Sequence, residues 1–196
     1  HYARLTPWIP FYKETLAKSS IPRSKFYKKS PTKKFSIPVS ENLYLKSNYL
    51  KKIDKIVKKS PLLDTLEYRY SDLAYFIMKK HLEDKYKKSL HQLVNERIYY
   101  PLGLKRTMYN PATEIPLNEI VPSELDDYFR HTELRGYVHD MGAAMQNGVG
   151  GHAGLFSNAY EVGVLMQMYL KKGKFDGKEF FSEDTFDLFN KCYYCN

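Results

Sequence analysis

Arg69-Tyr70-Ser71-Asp72-Leu73 opens an amphipathic run, and Tyr100-Pro101-Leu102-Gly103-Leu104 closes a second one at a fixed distance behind it. A tyrosine, a hydroxyl and a carboxylate thus stand at the mouth of a helix. Ser71 or Asp72 can accept from the free amides of the first turn. The spacing predicts a helix from there to about Tyr86, with Leu73, Phe76, Ile77 and Leu82 inward. Ser89 caps the next helix, with Leu90, Leu93, Val94 and Ile98 inward. Pro101 ends it, and Gly103 allows the reversal that follows.

Upstream, a helix is expected from about Asn48 to Lys59. Leu50, Ile53, Ile56 and Val57 share one face, and the lysines and Asp54 share the other. Ser60-Pro61 stops it. Residues 1–45 read as an irregular basic segment punctuated by Pro7, Pro10, Pro22, Pro31 and Pro38, and residues 46–196 as a helical body. Downstream, residues 105–135 are loop-rich, and a short helix is expected at Met141–Gln146. Ser157 caps a further helix to about Lys171, with Val162, Leu165, Met166 and Tyr169 on one face. A last helix starts at Ser182, where Glu183 and Asp184 suit its N-terminal dipole.

The 196 residues are 43% hydrophobic, which suits one globular domain with a core. No run approaches the ~18 apolar residues that span a membrane. The start has neither a Met nor the charged and apolar regions of a signal peptide, so the chain reads as an excised piece. Residues 1–60 hold 15 Lys and Arg against 3 Asp and Glu, whereas residues 61–196 hold 16 against 19. The lysines are scattered among Ser and Pro, with no Arg-rich helix and no RNA-binding signature. They read as a solvated surface rather than a nucleic-acid site, with a basic domain for an anionic polymer as the alternative. Cys192 and Cys195 make one Cys-x-x-Cys without the second pair that a zinc site needs, and read as ordinary residues or a disulfide.

Tyr70 is the first candidate for chemistry. The positive end of the helix dipole favours its phenolate, and a neighbouring lysine would lower its pKa further. Such a tyrosine could take a proton from a serine nucleophile and hand it to a leaving group. The plainer alternative is one core tyrosine among 18. His139-Asp140 and His152 could bind metal or act as a base, but no metal-ligand spacing occurs, and no cofactor is implied. Gly150-Gly151-His152-Ala153-Gly154 could cradle an anion with its amides, or form a tight turn packed on the helix from Ala159.

Taken together, Tyr70-Ser71-Asp72, the helix pair closing on Pro101-Leu102-Gly103-Leu104, and Gly154-Leu155-Phe156-Ser157 resemble the serine β-lactamase and penicillin-binding-protein-like family, class C β-lactamases included. His1-Tyr2-Ala3-Arg4-Leu5 resembles the stretch after that family's nucleophile helix. Trp8-Ile9-Pro10-Phe11-Tyr12, Gly136-Tyr137-Val138-His139-Asp140 and Gly151-His152-Ala153-Gly154 resemble a bacterial branch often joined to a glycoside hydrolase family 3 module. The resemblance implies an α+β fold, chiefly its helical region with part of the layer packed on the sheet.

The resemblance also implies a periplasmic or cell-envelope serine hydrolase acting on ester, peptide or β-lactam carbonyls through an acyl-enzyme. Its substrate would be a small molecule or a peptidoglycan-like acyl group. Tyr70 would shuttle the proton, Asp72 would orient a lysine or the substrate, and Trp8, Gly151 and His152 would line the substrate cleft. Two features depart from the family pattern. Asp72 replaces an Asn, and a carboxylate cannot donate to a substrate carbonyl. The only Ser-x-x-Lys is Ser30-Pro31-Thr32-Lys33, after the His1–Leu5 stretch instead of before it. The piece is therefore expected to be inactive alone. A non-catalytic cell-wall-binding or scaffold domain of the same fold is the alternative.

Overall fold

The computed structural model describes residues 1–193. They form two compact units, His1–Leu90 with Tyr109–Leu155, and His91–Met108 with the chain from Phe156 onward.

In the first unit, β1 (Tyr27–Lys28), β2 (Ile37–Ser40) and β3 (Leu43–Leu45) form an antiparallel sheet in the order β1-β3-β2. Alternation along the strands turns Tyr27, Ile37, Val39 and Leu45 into the core. The segment 1–45, expected to be irregular, therefore carries the sheet. Its strands are two to four residues long, too short for a period of two to show between the prolines. Residues 1–6 are also tied down. Leu63 N–H donates to the Arg4 carbonyl at 2.7 Å, and Arg69 N–H donates to the His1 carbonyl at 3.0 Å.

Helix α1 (Tyr49–Lys59) buries Tyr49, Ile53 and Val57 and turns its lysines outward. Ser60 ends it by donating backbone and side chain to the Val57 carbonyl just before Pro61. Helix α2 (Leu73–Tyr86) buries Leu73 and Phe76. Ile77, expected inward, is exposed. The inner face continues through Lys79 instead, whose Nζ donates to the Val149 carbonyl at 2.5 Å. Burial lowers the pKa of that amine.

A buried ion pair organises the rest of this unit. Antiparallel strands Glu124–Asp126 and Thr132–Leu134 flank a turn that carries Arg130. Asp126 Oδ1 accepts from Phe129 N–H at 2.8 Å, and Oδ2 accepts from Arg130 Nε at 2.5 Å. Both side chains are fully buried. Arg130 also donates to the carbonyls of Val138 at 2.7 Å and His139 at 2.5 Å. Burial alone would raise the Asp126 carboxyl, but Arg130 and the Phe129 amide hold it below the usual carboxylate range.

In the second unit, helix Leu90–Val94 widens into a π turn at Asn95–Tyr99. Tyr99, Leu102, Leu104 and Met168 form its core, with Val164 and Leu165 packed on them. Helix Ala159–Leu170 is rotated from the expected face. Val162, Met166 and Tyr169 are exposed, and Glu161 is buried. Its carboxylate accepts from the amides of Lys105 and Arg106 at 2.9 Å and from the Thr107 hydroxyl at 2.6 Å. Those donors draw Glu161 inward and set the face. Ser182 caps the last helix, Glu183–Asn190, by accepting from Thr185 N–H. Cys195, and with it the reading of the Cys-x-x-Cys, lies outside the described residues.

Asp126→Ala removes the bonded carboxylate of the buried Arg130 and, among the described residues, leaves only Glu124 Oε2, 3.9 Å away. It is expected to cost about 3–5 kcal/mol, read by urea-induced unfolding at neutral pH. A loss below about 1 kcal/mol would remove this pair from the centre of the unit. Because the folded Asp126 pKa is depressed, its stabilisation is full above the unfolded value near ~3.9 and is lost as pH falls through the folded one.

Candidate functional site

The site is built around the mouth of α2, within the first unit. Ser71 fixes the entry: its hydroxyl donates to the Thr6 carbonyl at 2.8 Å and accepts from Leu73 N–H at 3.2 Å. Asp72 is thereby freed from capping, and its side chain makes no cap bond. Tyr70 is 59% exposed and stacks on the His1 ring at 4.6 Å. The His1 Nδ1 accepts from Ser71 N–H at 3.1 Å.

Tyr70 is not the phenolate expected from the helix dipole. The charge of Asp72, and then its hydrogen bond, hold the phenol above its ordinary pKa. A full negative charge two residues away outweighs the roughly half charge of a helix end. Tyr70 is therefore a neutral phenol and a proton donor at neutral pH.

Behind Asp72 lies a cavity of about 10 Å³, whose lining includes Trp8, Asp72, Phe76, Asp140, Gly142 and His152. Three of the residues singled out in the sequence, Trp8, Asp72 and His152, are thus brought together. His152 stacks on Phe76 at 4.8 Å with a 19° interplanar angle, and its side chain is 5% exposed. Its Nε2 lies 3.0 Å from Asp140 Oδ1. Asp140 also caps helix Met141–Ala144 by accepting from Ala143 N–H at 2.6 Å. Burial raises the Asp140 carboxyl, but His152 and the Ala143 amide outweigh it and hold the group low.

An ionised Asp140 only accepts, so His152 donates to it from Nε2. His152 Nδ1 and Asp72 Oδ1 are both buried, and neither has a hydrogen-bond partner among the described residues. Both residues line the same small space, whose other walls are largely apolar, with Ile9, Phe11, Leu73 and Phe76 among them. The space is about the size that one water needs, far below a substrate pocket. His152 therefore does not meet a substrate here.

Gly151 stands apart from the cavity. A Cβ there would lie 2.7 Å from the Tyr75 carbonyl oxygen, so the glycine lets the turn approach α2 rather than the helix from Ala159. Gly150 N–H is spent on the Ala153 carbonyl at 3.1 Å. Ser30-Pro31-Thr32-Lys33 lies in a turn closed by pairing of Thr32 with Phe35, so no helical turn brings the Lys33 amine to Ser30. Among the described residues, no group of three or more His, Cys, Asp or Glu is arranged to hold a metal. Asp140, a candidate from its place beside His139, gains its partner His152 only in the fold. An acid directly before Met141-Gly142-Ala143 was a helix-cap signal, but His152 reaches it only through the fold.

No protein-family model matches the chain. A protein of Escherichia coli O157:H7, provisionally named D-alanyl-D-alanine carboxypeptidase, is 33% identical over 153 residues, 69% of this chain and 34% of that protein. A Bacillus subtilis (strain 168) protein named N-acetylmuramyl-L-alanine amidase is 35% identical over 132 residues, 61% of this chain and 30% of that protein. The chain spans about one third of the length of these relatives. The resemblance to serine β-lactamases and penicillin-binding-protein-like proteins, with its glycoside hydrolase branch, is corrected by these findings. The relatives carry carboxypeptidase and amidase names, and nothing in those names supports β-lactam or ester cleavage.

Asp72→Asn removes the charge that holds the Tyr70 proton. The Tyr70 titration, read as the ultraviolet difference against Tyr70→Phe, is expected to move down toward the ordinary tyrosine value of about 10. An unmoved titration would mean that Asp72 does not control this phenol.

Proposed function

We propose that this chain is part of a hydrolase acting on amide bonds in the alanine-containing peptides of peptidoglycan, in the cell envelope or periplasm. The observation that carries this reading is the likeness to a carboxypeptidase and an amidase whose names both place alanine at the group acted on. No helix among the described residues is long and apolar enough to cross a membrane.

For a protein of the relatives' length, we read the chemistry as attack by a serine on the amide carbonyl, an acyl-enzyme, and release by water. In that scheme a base supplied by the rest of such a protein takes the serine proton, and Tyr70 serves as the acid. Its neutral phenol gives its one proton to the departing amine as the C–N bond breaks, the water that releases the acyl group returns a proton to it, and the Asp72 charge keeps the phenol protonated between turnovers. The buried His152–Asp140 pair lines the same small cavity as Asp72. A second reading, a wall-binding domain without catalysis, is favoured by the turn that keeps Ser30 and Lys33 apart.

The test is incubation of the full-length protein with purified muropeptides and mass analysis of the products. The expected result is release of D-alanine, or of a peptide from its N-acetylmuramyl group. Tyr70→Phe is expected to slow that release by about 10²- to 10⁴-fold. Binding without any cleavage would replace the hydrolase with the wall-binding reading. Neither binding nor cleavage would overturn both.

A further inference from the structure

Aromatic rings crowd the surface at the mouth of α2. His1 stacks on Tyr70 at 4.6 Å, meets Tyr68 edge-on at 5.6 Å, and lies 6.2 Å from Tyr75. Tyr68 is 60% exposed and Tyr75 37%. Single exposed apolar side chains are ordinary, but a contiguous group of rings held in water marks a contact surface.

These rings do not sit on a loose tail. Arg4 Nε donates to the Leu63 carbonyl at 2.5 Å, and Leu5 pairs with Leu62. The Arg69 and Ser71 amides donate to the His1 carbonyl and ring at 3.0 and 3.1 Å. The backbone thus fixes the rings before any ligand arrives, which lowers the entropic cost of binding.

Tyrosine and histidine rings have an apolar face and a polar edge. Their natural complement is a ligand with a C–H face and a rim of hydroxyl and amide groups, which describes an N-acetylated pyranose. A nucleic acid also stacks on rings but needs cations beside them. Arg69, in the same stretch of chain, is already paired with Glu67 at 2.6 Å. An anionic polymer meets the same objection.

We propose that His1, Tyr68, Tyr70 and Tyr75 form a saccharide subsite. It stacks an N-acetylated sugar of the glycan strand so that the peptide borne by that sugar reaches Asp72 and Tyr70. The substrate class rests on the hydrolase reading above. The subsite adds that the substrate is recognised with its sugar attached.

The test compares two probes on the full-length protein, N-acetylglucosaminyl-N-acetylmuramyl dipeptide and the same dipeptide without sugar. The sugar-bearing probe is expected to bind about tenfold tighter by calorimetry. Tyr68→Ser is expected to remove most of that advantage, about three- to tenfold, while Tyr68→Phe, which keeps the ring, retains it. Equal affinity for the two probes overturns the subsite even if the Ser variant fails to fold. An advantage that Tyr68→Ser leaves intact also overturns it. If the sugar-free peptide is cleaved and the sugar adds nothing, the subsite falls and the hydrolase reading stands. If the sugar-bearing probe binds through Tyr68 and neither probe is cleaved, the subsite stands and the hydrolase reading falls.

Discussion

The guanidinium of Arg130 is the constraint on which the first unit depends. Held by Asp126, it binds the carbonyls of Val138 and His139. Those two residues directly precede Asp140, so the same guanidinium fixes where the Asp140 carboxylate stands. Asp140 in turn starts the helix Met141–Ala144 and receives His152. A buried ion pair adds little net stability over an apolar pair of the same volume. Its value here is positional, because it converts an irregular loop into a fixed mount for a histidine.

From that mount the arrangement runs outward in one direction. His152 is clamped between Asp140 and the face of Phe76, and its free nitrogen shares a small buried space with Asp72. Asp72 then holds the surface phenol of Tyr70 above its ordinary pKa. The buried groups are polar and tightly enclosed, and the exposed groups are aromatic. A substrate would touch the second set and feel the first only through it.

The elements with local causes were legible in the sequence. Helix α1 follows from apolar residues three and four apart, and Ser60-Pro61 marks a stop that needs no tertiary help; the extent of α2 was legible, but its face was not, because Ile77 is exposed and Lys79 turns inward. The sheet of residues 27–45 was not legible, because strands of two to four residues leave almost no alternation. The face of the helix from Ala159 was misread because a buried Glu161 looks polar until the amides of Lys105 and Arg106 are seen to receive it. The site divides in the same way. Trp8, Asp72 and His152 could be named from sequence, but their meeting in one cavity and the pairing of His152 with Asp140 arise only from the fold. The sign of the Tyr70 shift was missed because it depends on where the Asp72 carboxylate points, which spacing alone does not fix.

The most direct measurement is the nitrogen NMR spectrum of the His152 imidazole in its neutral form, assigned by comparison with His152→Gln. A histidine mounted on Asp140 with its other nitrogen turned toward Asp72 must carry its proton on Nε2, and the Nδ1 resonance should move in Asp72→Asn. A proton found on Nδ1, with no response to Asp72, would mean that the buried pair and the surface residues are not one site.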